Sequence, residues 1–161
     1  MNSKEEMSAN SHFKEVLRKF NEHQVRYLIV GAYAVMKYTE PRYTKDLDIW
    51  VDATPDNASQ VFKALAEFGA PMNSVTVEDF ANPELVFQIG IEPHRIDVMM
   101  GIKGLEFSDA WPRRVETRFE GVAINLISKE DLLVAKKAAG RPQDLIDAAE
   151  LRLSKDLETT P

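Results

Sequence analysis

Two aspartates one residue apart, Asp46 and Asp48, lie at the start of the run DLDIWV, which has the pattern of a β-strand. Side chains alternate between the two faces of a strand, so both aspartates are expected on one face while Leu47, Ile49 and Val51 point into a core. Two carboxylates held that close repel each other unless a positive charge neutralises them. A hard divalent cation with oxygen ligands is the usual solution, so the pair predicts a Mg²⁺ site and phosphoryl or nucleotidyl chemistry.

The composition indicates one globular unit. With 161 residues and 44% hydrophobic content, we expect a single domain over residues 1–161, with its core at about 11–153 and frayed termini. No apolar run approaches the roughly 20 residues needed to cross a bilayer, and the polar start lacks the order of a signal peptide. We therefore expect a cytoplasmic protein with no membrane contact.

The charge and the missing cysteines narrow the possible functions. Without cysteine, disulfides, thiolate metal sites and a cysteine nucleophile are excluded, so a metal must be held by oxygen or histidine. The formal net charge of −6 argues against a broad surface for nucleic acid. The late basic residues form either a local positive face or a scattered, solvated set: Arg113, Arg114, Arg118, Lys129, Lys136, Lys137 and Arg141.

Hydrophobic periodicity and turn residues predict an ordered series of elements. They are a helix over 11–24 capped by Ser11, a strand over 26–30, a helix over 32–37, the aspartate strand, a helix from Thr54-Pro55 to about 68, a hairpin over 85–91 and 94–100, a short helix over 105–113, a hairpin over 115–119 and 122–127, and helices over 128–139 and 142–153. This order favours an α/β (α+β) domain, a mixed sheet packed by helices, with helices at the C-terminus.

Two features accompany the aspartate pair. Gly31 separates a strand from a helix, and a helix N-terminus with a close backbone approach attracts phosphate, although an ordinary strand-to-helix turn has the same pattern. Asp97 lies among apolar neighbours on a later strand, where a carboxylate is costly unless it is paired or metal-bound. It shares a face with Arg95, so it either completes a triad with the first two aspartates or forms an Arg95–Asp97 surface pair.

Other candidate residues carry weaker signals. Trp50 lies on the aspartate face by alternation, where it either stacks on a base or packs under a helix, and we favour packing. His12, His23 and His94 have no spacing typical of a metal site.

Three ordered motifs resemble a known family. The strings VGAYAVM at 30–36 and PRYTKDLDIWV at 41–51 resemble the minimal nucleotidyltransferases of the polymerase-beta superfamily, particularly the AbiEii-like toxin branch. The string DLLVAKKAAGRPQDLID at 131–147 is similar to the C-terminal helical motif of that branch. Together with Asp97, the resemblance covers roughly residues 26–150.

The resemblance implies a metal site with two Mg²⁺ ions, for which Mn²⁺ is a substitute. Asp46 and Asp48 would bind both ions, one holding the triphosphate of an NTP and the other, with Asp97, activating an attacking hydroxyl. Paired metals suit this chemistry because they stabilise the attacking and leaving oxygens of an in-line displacement.

The resemblance also implies a nucleotide-binding set, which is Gly31, Ala32, Arg42, Thr44, Lys136 and Arg141. Gly31 would lie against the phosphates, Arg42 and Thr44 would orient the loop or the nucleotide, and Lys136 would contact the triphosphate. Arg141 would contact phosphate or pair with Asp144. The turn of the superfamily is usually Gly-Ser or Gly-Gly, so Ala32 removes a hydroxyl while the backbone N–H groups remain.

Three functions follow from these features. The first is transfer of a nucleoside monophosphate from an NTP to a hydroxyl, with RNA such as a tRNA 3′ end as acceptor, by the toxin of a toxin–antitoxin pair whose partner is an antitoxin protein. The second is adenylylation of a small molecule or a protein side chain. The third is a non-catalytic nucleotide-binding or interaction module with the same fold.

Overall fold

A computed structural model describes residues 3–40, 46–90 and 94–154, with side chains described from Ser11 onward. The helices are α1 Ser3–Glu22, α2 Gly31–Tyr38, α3 Pro55–Phe68, α4 Phe107–Ala110, α5 Lys129–Ala139 and α6 Pro142–Leu153, with 3₁₀ turns at Val77–Ala81 and Trp111–Arg113. The strands are β1 Tyr27–Val30, β2 Asp46–Val51, β3 Val86–Ile89, β4 Arg95–Met99, β5 Val115–Phe119 and β6 Val122–Leu126. The predicted α/β (α+β) class is confirmed.

The six strands form one mixed sheet in the order β3-β4-β2-β1-β6-β5. The two predicted hairpins are present as antiparallel pairs, β3 with β4 and β5 with β6. In the centre, β2 runs antiparallel to β1 and parallel to β4. A parallel pair needs a long crossover connection, and here α3 and the segment after it return the chain to the far side of β2. The aspartates of β2 and β4 thereby become neighbours.

The alternation expected for β2 is present in the structure. Leu47, Ile49 and Val51 are at most 1% exposed, whereas Asp46 and Asp48 are only partly buried. Burying such aliphatic side chains stabilises the fold by about 1.5–3 kcal/mol each. The apolar face of β2 therefore fixes its register in the sheet, and this places both carboxylates on the opposite face.

The first helix is longer than predicted. It begins at Ser3, so Ser11 lies inside the helix and its assignment as the N-cap was wrong. Residues 3–10 contain helix-favouring Lys, Glu, Met and Ala but no apolar stripe, so hydrophobic periodicity could not detect this extension.

The predicted helix over 105–113 is divided into two short pieces. The α-helical part ends at Ala110 and a 3₁₀ turn follows over Trp111–Arg113. Pro112 lacks the N–H needed to continue the α-helical hydrogen bonds, while Trp111 before it keeps right-handed helical angles.

Two helix caps differ in detail from the usual motifs. Pro55 is at the start of α3 and the helix ends at Phe68, as predicted. Gly69 follows in the left-handed conformation, and Thr54 makes no side-chain capping bond. At α5, the Ser128 hydroxyl accepts the Asp131 N–H, whereas the Asp131 carboxylate binds Arg113 instead of closing a capping box.

Among the helices of the described ranges, none combines the length and the apolar character that crossing a membrane requires.

Candidate active site

The register of β2 and β4 brings the three predicted aspartates together. Asp46 lies opposite Arg95, and Asp48 lies opposite Asp97. All three carboxylates line one cleft of about 550 Å³. Asp97 is only 6% exposed, so it is a buried carboxylate that faces two others. The strand pairing thus assembles a triacidic cluster from two segments that are far apart in sequence.

Gly31 packs directly against this cluster. Its φ of +69° lies in the left-handed region, and a Cβ atom at this position would collide with Oδ2 of Asp48. Both the backbone conformation and the close approach therefore require glycine. Gly31 is also the first residue of α2, and it lines the cleft together with Ala32. The predicted glycine turn lies next to the carboxylates, where its backbone can approach a bound anion.

Arg95 bridges two of the aspartates. Its Nη2 donates to Oδ2 of Asp46 at 3.2 Å, and its Nε lies 3.0 Å from Oδ1 of Asp97. The Arg95–Asp97 pair foreseen as the alternative to a triad is present, but it lies in the cleft and coexists with the cluster. Our sequence interpretation did not include Arg95 in the site, although its spacing two residues before Asp97 on one strand face is the signal that could have identified it.

The cluster remains short of positive charge. Burial raises the pKa of Asp48 to about 7, and repulsion from Asp97 and Asp46 acts in the same direction, while Lys136 and Arg95 oppose it. The carboxyl of Asp48 therefore titrates near neutral pH when no further cation is bound. This is the electrostatic environment that the aspartate pair predicts.

The donor set fits a hard divalent cation by its chemistry. Carboxylate oxygens are the ligands that Mg²⁺ prefers, and a cation would relieve the repulsion that raises the pKa of Asp48. However, no group of three or more acidic or histidine side chains in the described residues is already arranged around a common metal position. The guanidinium of Arg95 lies between Asp46 and Asp97 in this arrangement. A metal bound through Oδ2 of Asp46 or Oδ1 of Asp97 would compete with Arg95 for these oxygens.

Lys136 contributes a buried cation from α5. It is 9% exposed, and its Nζ lies 3.2 Å from Oδ1 of Asp144 and 3.0 Å from Oδ2 of Asp147. Both of these aspartates are about 1% exposed, and Gln143 donates to Asp147 as well. Lys136 lines the same cleft as the three aspartates, as the predicted site requires. The contribution of Asp147 was not predicted, since helical spacing alone does not show which residue faces Lys136.

Arg141 forms the pair that the sequence left as an alternative to a phosphate contact. Its Nε and Nη2 donate to the two oxygens of Asp144 at 2.6 and 3.1 Å, at the N-terminus of α6. The hydrogen bond from Arg141 lowers the pKa of Asp144, and Lys136 acts in the same direction, although burial opposes both. Arg141 still lines the cleft, and its side chain is 77% exposed. Its structural pairing therefore leaves most of the guanidinium accessible.

Most of the late basic residues are engaged in polar contacts. Six of the seven make such contacts within the described residues: Arg113 with Asp131, Arg114 with Trp111 and Glu116, Arg118 with Gly121, Lys129 with Ser154, and Lys136 and Arg141 as above. Four of them have a carboxylate as partner, and the choice between a local positive face and a scattered set stays a prediction.

The remaining predicted residues have separate outcomes. Arg42 and Thr44 lie outside the described residues. Trp50 is 1% exposed and packs edge-to-face on Phe107 with ring centroids 5.1 Å apart, which agrees with packing and not with base stacking.

Comparison with solved structures supports the fold. The lincosamide antibiotic adenylyltransferase LnuA superimposes with a TM-score of 0.58 at 18% identity, over 89% of this chain and 96% of that chain. The antibiotic-resistance factor ANT(2'')-Ia has a TM-score of 0.58 at 13% identity, over 90% and 82%. A candidate nucleotidyltransferase from Thermotoga maritima has a TM-score of 0.54 at 16% identity, over 94% and 93%. At these identities the likeness establishes the fold alone.

Sequence comparison identifies the family. No curated protein matches the chain significantly. The matches do not distinguish the AbiEii-like branch, so that assignment stays a prediction. The model of the family described as "Nucleotidyltransferase of unknown function (DUF6036)" matches residues 7–160, and the chain therefore belongs to this nucleotidyltransferase family.

Proposed function

We propose that this chain is a Mg²⁺-dependent enzyme that transfers a nucleoside monophosphate from an NTP to a hydroxyl acceptor and releases pyrophosphate. The observation that carries the proposal is the register of β2 and β4, which sets Asp48 beside Asp97 in a cleft that also contains Asp46 and Gly31. Membership of a nucleotidyltransferase family supports the same reaction.

The carboxylates of Asp46, Asp48 and Asp97 would hold the metal. When bound, Mg²⁺ supplies charge neutralisation at the phosphates and lowers the pKa of a coordinated hydroxyl. Asp97 is the most deeply buried of the three carboxylates and is suited to accept the proton of the attacking hydroxyl. Mn²⁺ has the same preference for oxygen ligands and is expected to substitute.

The nucleotide would be held by groups around the carboxylates. The Gly31-Ala32 turn offers backbone N–H groups at the start of α2, where a helix N-terminus favours an anion. Lys136 faces the cleft from α5, and the exposed guanidinium of Arg141 lies at its rim. These groups supply positive potential to a triphosphate that the three aspartates alone would repel. Arg42 and Thr44 remain candidates from the family resemblance.

The acceptor is proposed to be a small molecule, with RNA as the second candidate. The solved structures of similar fold include the lincosamide antibiotic adenylyltransferase LnuA with lincomycin bound and ANT(2'')-Ia in complex with adenylyl-2''-tobramycin, and each covers most of this chain. The pairing of the late basic residues and the net charge of −6 disfavour a long RNA contact. RNA transfer by a toxin with an antitoxin partner rests on the AbiEii-like resemblance, and protein adenylylation rests on chemistry that related transferases perform.

The proposal is tested by replacing the metal ligands. Asp48→Asn and Asp46→Asn should each lower transfer of label from α-³²P NTPs by at least 10³-fold and weaken Mg²⁺-dependent NTP binding in calorimetry. Glu84→Gln, which alters an exposed carboxylate outside the cleft, is the matched control and should transfer normally. Unchanged transfer by Asp48→Asn contradicts the mechanism. If the wild-type protein binds none of the four NTPs with or without Mg²⁺, the non-catalytic interaction module is the better description.

A further inference from the structure

A second cavity of about 600 Å³ adjoins the candidate active site. We call it the second cleft and define it by Trp50, Asp52, Gly101, Glu106, Phe107 and Ser108. Ile102 and Lys103 line both cavities, so the two share one wall. The proposed metal chemistry does not use the second cleft.

The two cavities follow each other along the same strands. On β2, Asp46 and Asp48 line the first, while Trp50 lines the second and Asp52 follows it. Two residues of a strand span about 7 Å, so the Cα atoms of Asp48 and Trp50 are about 7 Å apart. The shared wall at Ile102 and Lys103 is where a hydroxyl of a molecule in the second cleft would enter the cleft that holds the carboxylates.

The arrangement of cations indicates which end takes the triphosphate. Lys136 and Arg141 line the first cleft from α5 and α6 and are absent from the lining of the second. In-line displacement requires the attacking hydroxyl to approach opposite the leaving pyrophosphate. A triphosphate held toward Lys136 leaves the side of the shared wall, at Ile102, open for the acceptor.

The second cleft offers a mixed polar and apolar surface with little net charge. Trp50, Phe107 and Met100 lie in its wall but are at most 8% exposed, so the surface left to a ligand comes from partly or fully exposed residues such as Leu105 and Ser108. The carboxylate of Asp52 is already neutralised by the guanidinium of Arg26 at 2.8 Å.

The charges at its rim are balanced. Glu106 and Lys103 are both exposed and carry opposite charges. A polyanion needs several cationic contacts to replace its counterions, and the described lining contains only Lys103 as a cation. The surface instead suits a compact polar molecule that carries hydroxyl groups.

We propose that the second cleft is the acceptor site and that the acceptor is a small, hydroxyl-bearing molecule with no polyanionic chain. This inference rests on the proposed nucleotidyl transfer. The acceptor oxygen forms the new bond to the α-phosphorus and gives its proton to Asp97. The bond from that phosphorus to the bridging oxygen breaks, and pyrophosphate leaves with the electron pair.

The experiment fills the second cleft without touching the first. Ser108→Trp places a large side chain in the cleft from an exposed position of α4, and Asp109→Trp, its exposed neighbour outside the lining, is the matched control. Each protein is incubated with α-³²P NTPs, Mg²⁺ and separate small-molecule, RNA and protein fractions of a cell extract. We expect label in the small-molecule fraction, reduced at least 10-fold by Ser108→Trp and less than twofold by Asp109→Trp, with the Kd for NTP and Mg²⁺ unchanged in both.

The outcomes separate this inference from the proposed function. Failure of the wild-type protein to bind NTP overturns the proposed function itself. Three results with normal NTP binding overturn the acceptor site alone. They are label only in RNA or protein, no label in the small-molecule fraction, and full transfer by Ser108→Trp. If Ser108→Trp does not fold, Glu106→Trp narrows the same cleft from its exposed rim and is expected to raise the KM for the small-molecule fraction at least 10-fold.

Discussion

Asp48 lies directly opposite Asp97 across the parallel strands β2 and β4, and both carboxylates face one cleft. The apolar face of each strand is buried in the core, so neither carboxylate can leave this face without exposing aliphatic side chains. The repulsion is therefore built into the packing of the sheet. We expect this repulsion to lower the stability of the metal-free protein and to make its stability depend on added cations.

The first prediction concerns pH. The pKa of Asp48 is raised from 3.8 to about 7, so between these values the folded protein keeps a proton that the unfolded chain loses. This contribution to stability is complete below pH 4, declines as pH rises toward 7 and is absent above it. Asp48→Asn removes the ionisable group, and we expect it to raise the metal-free unfolding free energy at pH 8 by about 1–3 kcal/mol relative to wild type.

Urea unfolding in EDTA at pH 5 and pH 8 measures this effect. The advantage of Asp48→Asn should shrink at pH 5, and Glu84→Gln should show no such pH dependence. A larger advantage at pH 5 than at pH 8 contradicts the raised pKa.

The second prediction concerns Gly31. Gly31→Ala introduces a Cβ that collides with the carboxylate of Asp48 and also strains a backbone with φ of +69°. Gly69→Ala is a matched control because Gly69 has φ of +96° but no atom within 4 Å of its would-be Cβ. Both variants should lose about 1 kcal/mol of stability from the backbone alone. Only Gly31→Ala should weaken Mg²⁺-dependent NTP binding by 10-fold or more in calorimetry, and equal binding by the two variants would show that the contact with Asp48 is unimportant.

The third prediction concerns the buried charges under α5 and α6. Lys136→Met removes the ammonium that lies between Asp144 and Asp147 and leaves two buried carboxylates less compensated. We expect a loss of about 2–4 kcal/mol in urea unfolding. The double variant Lys136→Met/Asp147→Asn should recover part of this loss, since it removes one of the two charges. Additive losses in the double variant would mean that Lys136 and Asp147 do not interact.

The fourth prediction concerns Arg95. Its guanidinium contacts both Asp46 and Asp97, so it partly neutralises the cluster in the absence of metal. Arg95→Gln should therefore lower the melting temperature in EDTA and increase the gain in melting temperature on adding Mg²⁺. Arg118→Gln, which loses a contact to the Gly121 carbonyl away from the cluster, is the control. An equal Mg²⁺ response in Arg95→Gln and wild type contradicts competition between Arg95 and the metal.

Local patterns predicted most elements of the fold. The alternation around Asp46 and the hairpin of β5 and β6 each depend on neighbouring residues, and both are present as predicted. The start of α1 was missed because residues before Ser11 lack an apolar stripe. The 3₁₀ turn at Trp111–Arg113 was missed because apolar spacing does not register the N–H that Pro112 lacks. Sequence reasoning is accurate where one apolar face decides the structure.

The sequence by itself determined which chemistry is available. It supplies oxygen ligands at Asp46, Asp48 and Asp97, contains no cysteine, and has a glycine between a strand and a helix. The sequence determines these features because they depend on residue type and short-range spacing alone. Only the tertiary structure decided which groups meet. The parallel pairing of β2 with β4 sets Asp48 beside Asp97 and lets Arg95 bridge the cluster, and the packing of α5 on α6 surrounds Lys136 with carboxylates. Such contacts join residues from separate elements, and their positions follow from burying every apolar face at once.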